Sequence, residues 1–168
     1  MKPRKGYVRK FARTILDRNG ITSPPVDLKV LVAKEGLEYE EVDYFPDDVD
    51  ALIINDEGVI TAAVNKNHHP NRRRFSLAHE LGHYFFHGDR SVLEDVATID
   101  TPVSRDEVHG KDVYESEADT FAGELLVPLA FLKTAYKPGM TTADLASIFE
   151  VSEEVAAIAL STHFNSLF

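Results

Sequence analysis

The sequence contains no cysteine and no tryptophan among its 168 residues. Without cysteine the chain forms neither disulfides nor thiolate–metal bonds, so any zinc site must use histidine and carboxylate ligands. No apolar run reaches the roughly 18 residues that a membrane-spanning helix needs. No apolar core with a small-residue cleavage site follows the basic N-terminus, so we expect no secretory signal. A cytoplasmic location fits these absences.

The charge is unevenly distributed. The net charge is −10, yet residues 1–20 hold seven Lys and Arg against one Asp. Apolar residues make up 43% and charged residues 27%, values typical of a globular protein of this length. We therefore predict a single domain over residues 1–168, with residues 1–7 as a basic, solvated tail. The acidic remainder makes general nucleic-acid binding unfavourable.

Hydrophobic spacing predicts two helices at the start of the chain, over residues 7–19 and from about 26 to 35. Residues 37–44 are predicted as a strand, and residues 51–65 as a β-hairpin with the three-residue loop Asp56-Glu57-Gly58. Together they predict a mostly helical α+β fold with a small three-stranded antiparallel sheet.

The second half of the chain is predicted to be helical after an irregular acidic segment, residues 90–111, whose length is typical of lids and binding loops. Helices are expected over residues 112–126 and 129–136. Residues 141–164 have the form of a helix-turn-helix, with Ser152 as N-cap of its second helix. That helix carries Glu153 and Glu154 and many alanines, which would repel phosphate. We interpret this pair as a packing unit and expect no direct nucleic-acid binding.

The central motif is His79-Glu80-Leu81-Gly82-His83, which matches His-Glu-x-x-His. Residues four apart share one helix face, so His79 and His83 can bind one metal ion. Glu80 is then placed to take a proton from a metal-bound water. The surrounding apolar residues predict that this helix is buried, and buried polar groups need partners. Gly82 leaves room for the close approach of another element.

A third ligand must come from elsewhere, because catalytic zinc usually has three protein ligands and an open position. A ligand on the same segment would require a glycine-based turn, and Phe86 occupies the glycine position. A glutamate on the later helix remains, with Glu115 as first choice and Glu117 as second. Glu115, Ala118 and Asp119 lie on one row of that helix.

Three further residues are predicted to support the ligands rather than bind the ion. Asp119 is placed to orient a ligating imidazole, as metal-bound histidine usually requires. His87 follows His83 by four residues, but about 12 Å separates His79 from His87 along the helix, so we expect His87 to be structural or to hold a ligand. Glu117 is the remaining candidate for such support.

The two motifs together resemble the ImmA/IrrE family of metallopeptidases. The matching segments are residues 74–87 and residues 115–128, the second containing Glu-x-x-Ala-x-x-Phe-Ala. The resemblance covers about residues 8–164, with Val127 standing where the family usually has Met. It favours Glu115 as the third ligand and implies a gluzincin-like zincin core that binds Zn²⁺. It also implies an endopeptidase that cleaves a helix-turn-helix transcriptional repressor.

The expected chemistry follows from these residues. Zinc on His79, His83 and Glu115 would polarise a water molecule and the scissile carbonyl, and Glu80 would pass the water's proton to the leaving amine. The donor that stabilises the transition state stays open among four residues: Tyr84, His109, Tyr114 and His163.

Two other functions remain open at this point. One is a non-proteolytic regulator that binds a partner through a structural metal site. The other is a toxin-like partner of a repressor that acts on an unknown target.

Overall fold

A computed structural model describes residues 2–88, 92–93 and 113–168. The α-helices are α1 (Lys5–Arg18), α2 (Leu28–Lys34), α3 (Pro70–His87), α4 (Val113–Leu126), α5 (Leu129–Ala135), α6 (Thr142–Phe149) and α7 (Glu153–His163), followed by a 3-10 turn at Phe164–Ser166. The strands are β1 (Glu38–Val42), β2 (Ala51–Asp56), β3 (Val59–Asn65) and β4 (Val92–Leu93). Apart from β4, the predicted acidic segment 90–111 lies outside the described residues.

The strands form one mixed sheet in the order β1, β3, β2, β4. β2 and β3 are antiparallel, but β1 is parallel to β3 and β4 is parallel to β2. The helix and strand content agrees with the α+β prediction, whereas the purely antiparallel sheet was wrong. β1 and β2 do run in opposite directions, as strands joined by a short connection should. β3 inserts between them and therefore lies parallel to β1.

The β2–β3 turn is one residue shorter than predicted. Asp56 still pairs with Val59 in the ladder, which leaves Glu57 and Gly58 as the two turn residues. Both have positive φ angles, 49° and 92°. Two consecutive left-handed residues make the tight hairpin turn that matches strand twist, and they explain the glycine at the second position.

The core lies between the sheet and the helices. Alternate residues of β2 and β3 point to opposite faces, so Ile53 and Val64 join the main core while Leu52 and Ala63 pack in a smaller cluster on the other face. In the main core α4 packs against both α1 and α3. Phe121 of α4 is fully buried there. Because α4 packs against both α1 and α3, its polar residues can contact either helix.

The N-terminus departs from the predicted tail. Helix α1 begins at Lys5, so residues 5–7 are helical. The backbone N–H of Arg4 donates to the Glu117 carboxylate at 2.8 Å, and the Arg4 guanidinium binds the same carboxylate. The start of the chain is thereby attached to α4.

The C-terminal helices α6 and α7 pack together, and the Ser152 side chain accepts a hydrogen bond from the Val155 backbone N–H, as the predicted N-cap should. Arg74 of α3 connects this pair to the rest of the fold, because its guanidinium donates to the carbonyls of Val26, Phe149 and Glu150. Within the described part of the chain, no helix has the length and apolar character needed to cross a membrane.

Candidate metal centre

Helix α3 places His79 and His83 on one face, as the four-residue spacing predicts. The Nε2 atoms of the two imidazoles lie 3.0 Å apart. Glu80 and His83 are buried, and the side chain of His79 is 16% exposed. A pair of inward-facing ring nitrogens this close together suits binding to one cation.

Helix α4 brings Glu115 to the same point. Its carboxylate oxygens lie 3.2 Å from Nε2 of His79 and 3.1 Å from Nε2 of His83. The three residues each offer one ligand atom within 4.8 Å of the others. The structure thus brings together the three residues that the sequence predicted as metal ligands.

The spacing fits a tetrahedral zinc ion. Ligand atoms about 2.0–2.1 Å from such an ion lie about 3.3 Å from one another. The two Nε2 atoms lie 3.0 Å apart, and each lies within a few tenths of an ångström of that value from one Glu115 oxygen, Oε1 for His83 at 3.1 Å and Oε2 for His79 at 3.2 Å. Two imidazoles and one carboxylate are also a known catalytic zinc donor set, with a fourth position left for water. The Glu115 side chain is 41% exposed, so the cluster is open to solvent on that side.

Asp119 lies where a partner of a ligating histidine is needed. Its Oδ1 is 2.8 Å from Nδ1 of His79, on the ring edge opposite the cluster. Burial alone would lower the pKa of His79, but hydrogen bonds to Asp119 and Glu115 outweigh it and raise the pKa to about 9. In the metal-free protein this imidazole is therefore protonated at neutral pH.

Gly82 permits the two helices to meet at this distance. A Cβ added there would lie 3.0 Å from the Ala118 Cα and 3.2 Å from the Phe121 Cβ. The close approach expected at Gly82 is therefore observed, and the small residue opposite it is Ala118. Because Gly82 precedes His83 and Ala118 lies between Glu115 and Asp119, this contact sets the separation of the ligands.

His87 and Glu117 do not join the cluster. The side chain of Glu117 is 1% exposed, and its Oε2 lies 3.4 Å from Nε2 of His87. Nδ1 of His87 is 2.7 Å from Nδ1 of His83. Hydrogen bonds with Arg4 outweigh burial and lower the pKa of Glu117 to about 2. Glu117 thus remains an ionised partner of Arg4 and His87, on the far side of His83 from Glu115.

The contact of Arg4 could not be predicted from the sequence, where Arg4 falls in the segment expected to be a solvated tail. Its salt bridge with Glu117 joins positions 113 residues apart, and no local pattern signals such a pair. A charged residue at the start of a helix is usually exposed. The available hint was Glu117, because a glutamate buried on a helix that packs in the core needs a cation to approach it.

The candidates for the transition-state donor lie in different surroundings from one another. The ring of Tyr114 lies edge-on to His87, with centroids 4.7 Å apart. Nε2 of His163 is 2.9 Å from the Glu124 carboxylate and is buried there. Tyr84 packs edge-on against Phe85. His109 lies outside the described residues.

A groove of about 980 Å³ adjoins the cluster at Glu115 and Asp119. Helix α4 lines it, and residues from α1, the start of α3 and α7 form its sides. Lys5 and Arg9 lie on the α1 side, and Ile158, which is 59% exposed, lies on the α7 side. Its volume lies at the upper end of the range of ligand-binding clefts, about 300–1,000 Å³.

Comparison with known proteins gives relatives of two kinds. The radiation response metalloprotease IrrE of Deinococcus radiodurans is 32% identical over 105 residues, which are 58% of this chain and 30% of that protein. The metallopeptidase ImmA of Bacillus subtilis is 29% identical over 112 residues, 66% of this chain and 62% of that protein. The chain therefore spans less than two thirds of the length of these relatives.

One solved structure, a Mycobacterium tuberculosis transcriptional regulator, superposes with a TM-score of 0.62 over 93% of this chain and 46% of that chain. At 18% identity this likeness shows a shared fold. Residues 27–161 match the family described as the IrrE N-terminal-like domain. That span includes both helices of the cluster, and the predicted family is confirmed: the chain belongs to the ImmA/IrrE family of metallopeptidases.

Proposed function

We propose that this chain is a zinc-dependent endopeptidase that cleaves a helix-turn-helix transcriptional repressor and so relieves repression. The observation that carries the proposal is the convergence of His79, His83 and Glu115 next to the buried Glu80: the two Nε2 atoms lie 3.0 Å apart, and each lies 3.1–3.2 Å from an oxygen of Glu115. A structural zinc site usually fills all four positions with protein ligands, whereas three ligands suit catalysis.

The roles of the residues follow from this arrangement. When bound, zinc would supply Lewis-acid polarisation of a water molecule and of the scissile carbonyl. The Glu80 carboxylate accepts the proton of the attacking water and donates it to the departing amine. His79, His83 and Glu115 hold the cation, and Asp119 keeps the His79 ring in the orientation that aims Nε2 at it. We assign the helix pair α3 and α4 to a gluzincin-like zincin core.

The groove supports a peptide substrate. It begins at Glu115 and extends along α4 between α1 and α7, which gives an extended segment room on one side of the cleavage point. That this segment belongs to a repressor is inferred from the family resemblance. A repressor substrate also places the activity in the cytoplasm, where such proteins bind DNA.

Direct binding of nucleic acid is not part of the proposal. The second helix of the C-terminal pair, α7, opens with Glu153 and Glu154, both exposed. These carboxylates would meet phosphate with like charge, whereas recognition helices usually present Arg, Lys, Asn or Gln.

The decisive experiment uses Glu80→Gln and a candidate repressor encoded beside this chain. We expect the variant to keep its fold and bound zinc while cleavage, followed by mass spectrometry, slows by about 10²–10⁴-fold because the proton acceptor is lost. The control is Glu40→Gln, an exposed glutamate on β1, which should cleave like the natural chain. Full cleavage by Glu80→Gln would overturn the proposed mechanism. Zinc binding with repressor capture but no cleavage by the natural chain would favour a non-proteolytic regulator.

A further inference from the structure

Two Arg–Glu–His triads lie along α4, and both begin with an arginine at α1. In the first, Arg4 binds Glu117, which contacts His87. In the second, Arg13 binds Glu124 at 2.7 Å, and Glu124 contacts His163 at 2.9 Å. Both glutamate side chains are 1% exposed and both arginines are about half exposed. The triads therefore match in chemistry and burial.

The triads differ in where they end. In the first, Nδ1 of His87 lies 2.7 Å from Nδ1 of His83, one of the three cluster residues. The second ends at His163 in the interface between α4 and α7, with no contact to the cluster residues described here. A continuous line of hydrogen-bonding groups thus connects Arg4, outside the first turn of α1, with a metal ligand.

The donors and acceptors along the first line have one consistent direction. Nε2 of His83 faces the cluster, and binding a cation there requires its lone pair, so in the ring that is ready to bind the proton sits on Nδ1. Nδ1–H of His83 then donates to Nδ1 of His87. The remaining His87 proton lies on Nε2, which faces the Glu117 carboxylate. Glu117 accepts again from the Arg4 backbone N–H and guanidinium.

We propose that Arg4, Glu117 and His87 are positioning residues that fix the ring orientation and tautomer of His83, and so couple the N-terminal segment to the affinity of the metal site. The inference rests on the metal site of the proposed function but not on peptidase activity. The proposal also explains why only two of the three histidines spaced four residues apart belong to the cluster. The Nε2–H of His87 donates to Glu117, so this edge of the ring faces away from the cluster. Nδ1 of His87 accepts from His83, and His87 is therefore not a third imidazole ligand.

The second triad supplies a matched control. Arg4→Ala and Arg13→Ala each remove one half-exposed arginine from one buried glutamate, and only the first lies on the line to His83. We expect Arg4→Ala to weaken zinc binding about threefold to tenfold and Glu117→Gln about tenfold or more, since partners of metal-bound histidine typically contribute 10–100-fold. Arg13→Ala should bind zinc like the natural chain. Arg4→Lys, which keeps a cation, should recover part of the loss.

Zinc affinity is measured by competition with a chelator at fixed pH. The histidine tautomers are read from long-range ¹H–¹⁵N spectra of the metal-free protein. The natural chain should show His83 with its proton on Nδ1, and Arg4→Ala should show a mixture. Equal loss of zinc affinity in Arg4→Ala and Arg13→Ala, or a His83 proton on Nε2 in the natural chain, would overturn the inference.

These readouts need no substrate. Suppose that no repressor is cleaved, while Arg4→Ala but not Arg13→Ala changes the His83 tautomer and the zinc affinity. The positioning role then stands and the peptidase proposal fails. If cleavage occurs but the two arginine variants behave alike, the peptidase proposal stands and this inference fails.

Discussion

The carboxylate of Asp119 and the Nδ1 of His79 lie 2.8 Å apart, although the two residues are 40 positions apart in the chain. The contact joins α4 to α3 on the side of the imidazole away from the cluster. It holds the ring so that Nε2 points at Glu115 and His83. Helix α4 therefore contributes both a ligand, Glu115, and the acceptor that orients His79, a ligand of α3.

Replacing Asp119 with Ala should weaken zinc binding about 10–100-fold, because the His79 ring loses its orienting acceptor. Competition with a chelator measures the change. Asp119 is 60% exposed, so we expect little loss of fold stability. Ser116→Ala, on the same helix beside the groove, should leave zinc affinity unchanged. Equal affinities for Asp119→Ala and the natural chain would show that the contact does not support the ligand.

Zinc binding should strengthen as pH rises from about 6.5 to about 9. The pKa of His79 is raised to about 9 in the metal-free protein. Below that pH a proton occupies the imidazole and competes with the ion. Affinity should thus rise by up to about tenfold per pH unit, with release of one proton, until His79 is neutral. Calorimetric titration in buffers of different ionisation enthalpy counts that proton, and binding without proton release at pH 7 would contradict the assigned state.

Gly82→Ala should disturb the metal site and lower the free energy of unfolding by about 1–3 kcal/mol, because the new methyl group meets the α4 backbone at Ala118. The separation of His83 from Glu115 should increase, and zinc affinity should fall. Gly123→Ala is the matched control, since a Cβ there meets nothing within 4 Å. It should be neutral or stabilise by up to about 1 kcal/mol through helix propensity. Denaturant titration of the metal-free proteins distinguishes the two outcomes.

Glu117 should make the fold acid-sensitive over a defined range. The pKa of its carboxyl is lowered to about 2 from the ordinary value of 4.5, chiefly by hydrogen bonds with Arg4. A depressed pKa contributes stability that is fully present above pH 4.5 and is lost as pH falls toward 2. In Glu117→Gln the free energy of unfolding should be lower by about 1–3 kcal/mol at neutral pH, and the difference should shrink toward pH 2. A difference that stays constant between pH 7 and 2 would contradict this origin.

Ile158→Asp should impair cleavage without impairing zinc binding. The Ile158 side chain is 59% exposed on the groove wall, where it can make an apolar contact with the substrate. Loss of that contact should lower kcat/KM by about tenfold or more. Val30→Asp, a 43% exposed apolar position on α2 outside the groove, provides the control. If both variants cleave equally well, the substrate does not lie along α7.

The sequence could predict the ligand cluster because each half of it is local. His79 and His83 share a face by helix geometry alone, and so do Glu115 and Asp119. The family motif then joined the two halves, and the structure places them together. What supports the cluster was less accessible. The Arg4–Glu117 pair depends on how α1 packs on α4, which no spacing within either helix encodes.

The sheet illustrates the same limit. The β2–β3 hairpin was predictable because its two strands are neighbours in the sequence and end at a glycine turn. The place of β1 was not, because the alternation within a strand defines its faces but not the edge to which it adds. The single-residue error in the turn arose because Asp56, a common turn residue, continues the ladder here.

The two arginine contacts along α1 have a mechanical consequence. They hold α4 at two points, through Glu117 and Glu124. A shift of α4 by one residue in register would combine a translation of about 1.5 Å with a rotation of about 100°. Both salt bridges would break together, and Glu115 would swing out of reach of the histidines. Helix α1 contributes no ligand. Its two arginine contacts nevertheless hold α4 in the one register that brings Glu115 to the histidines.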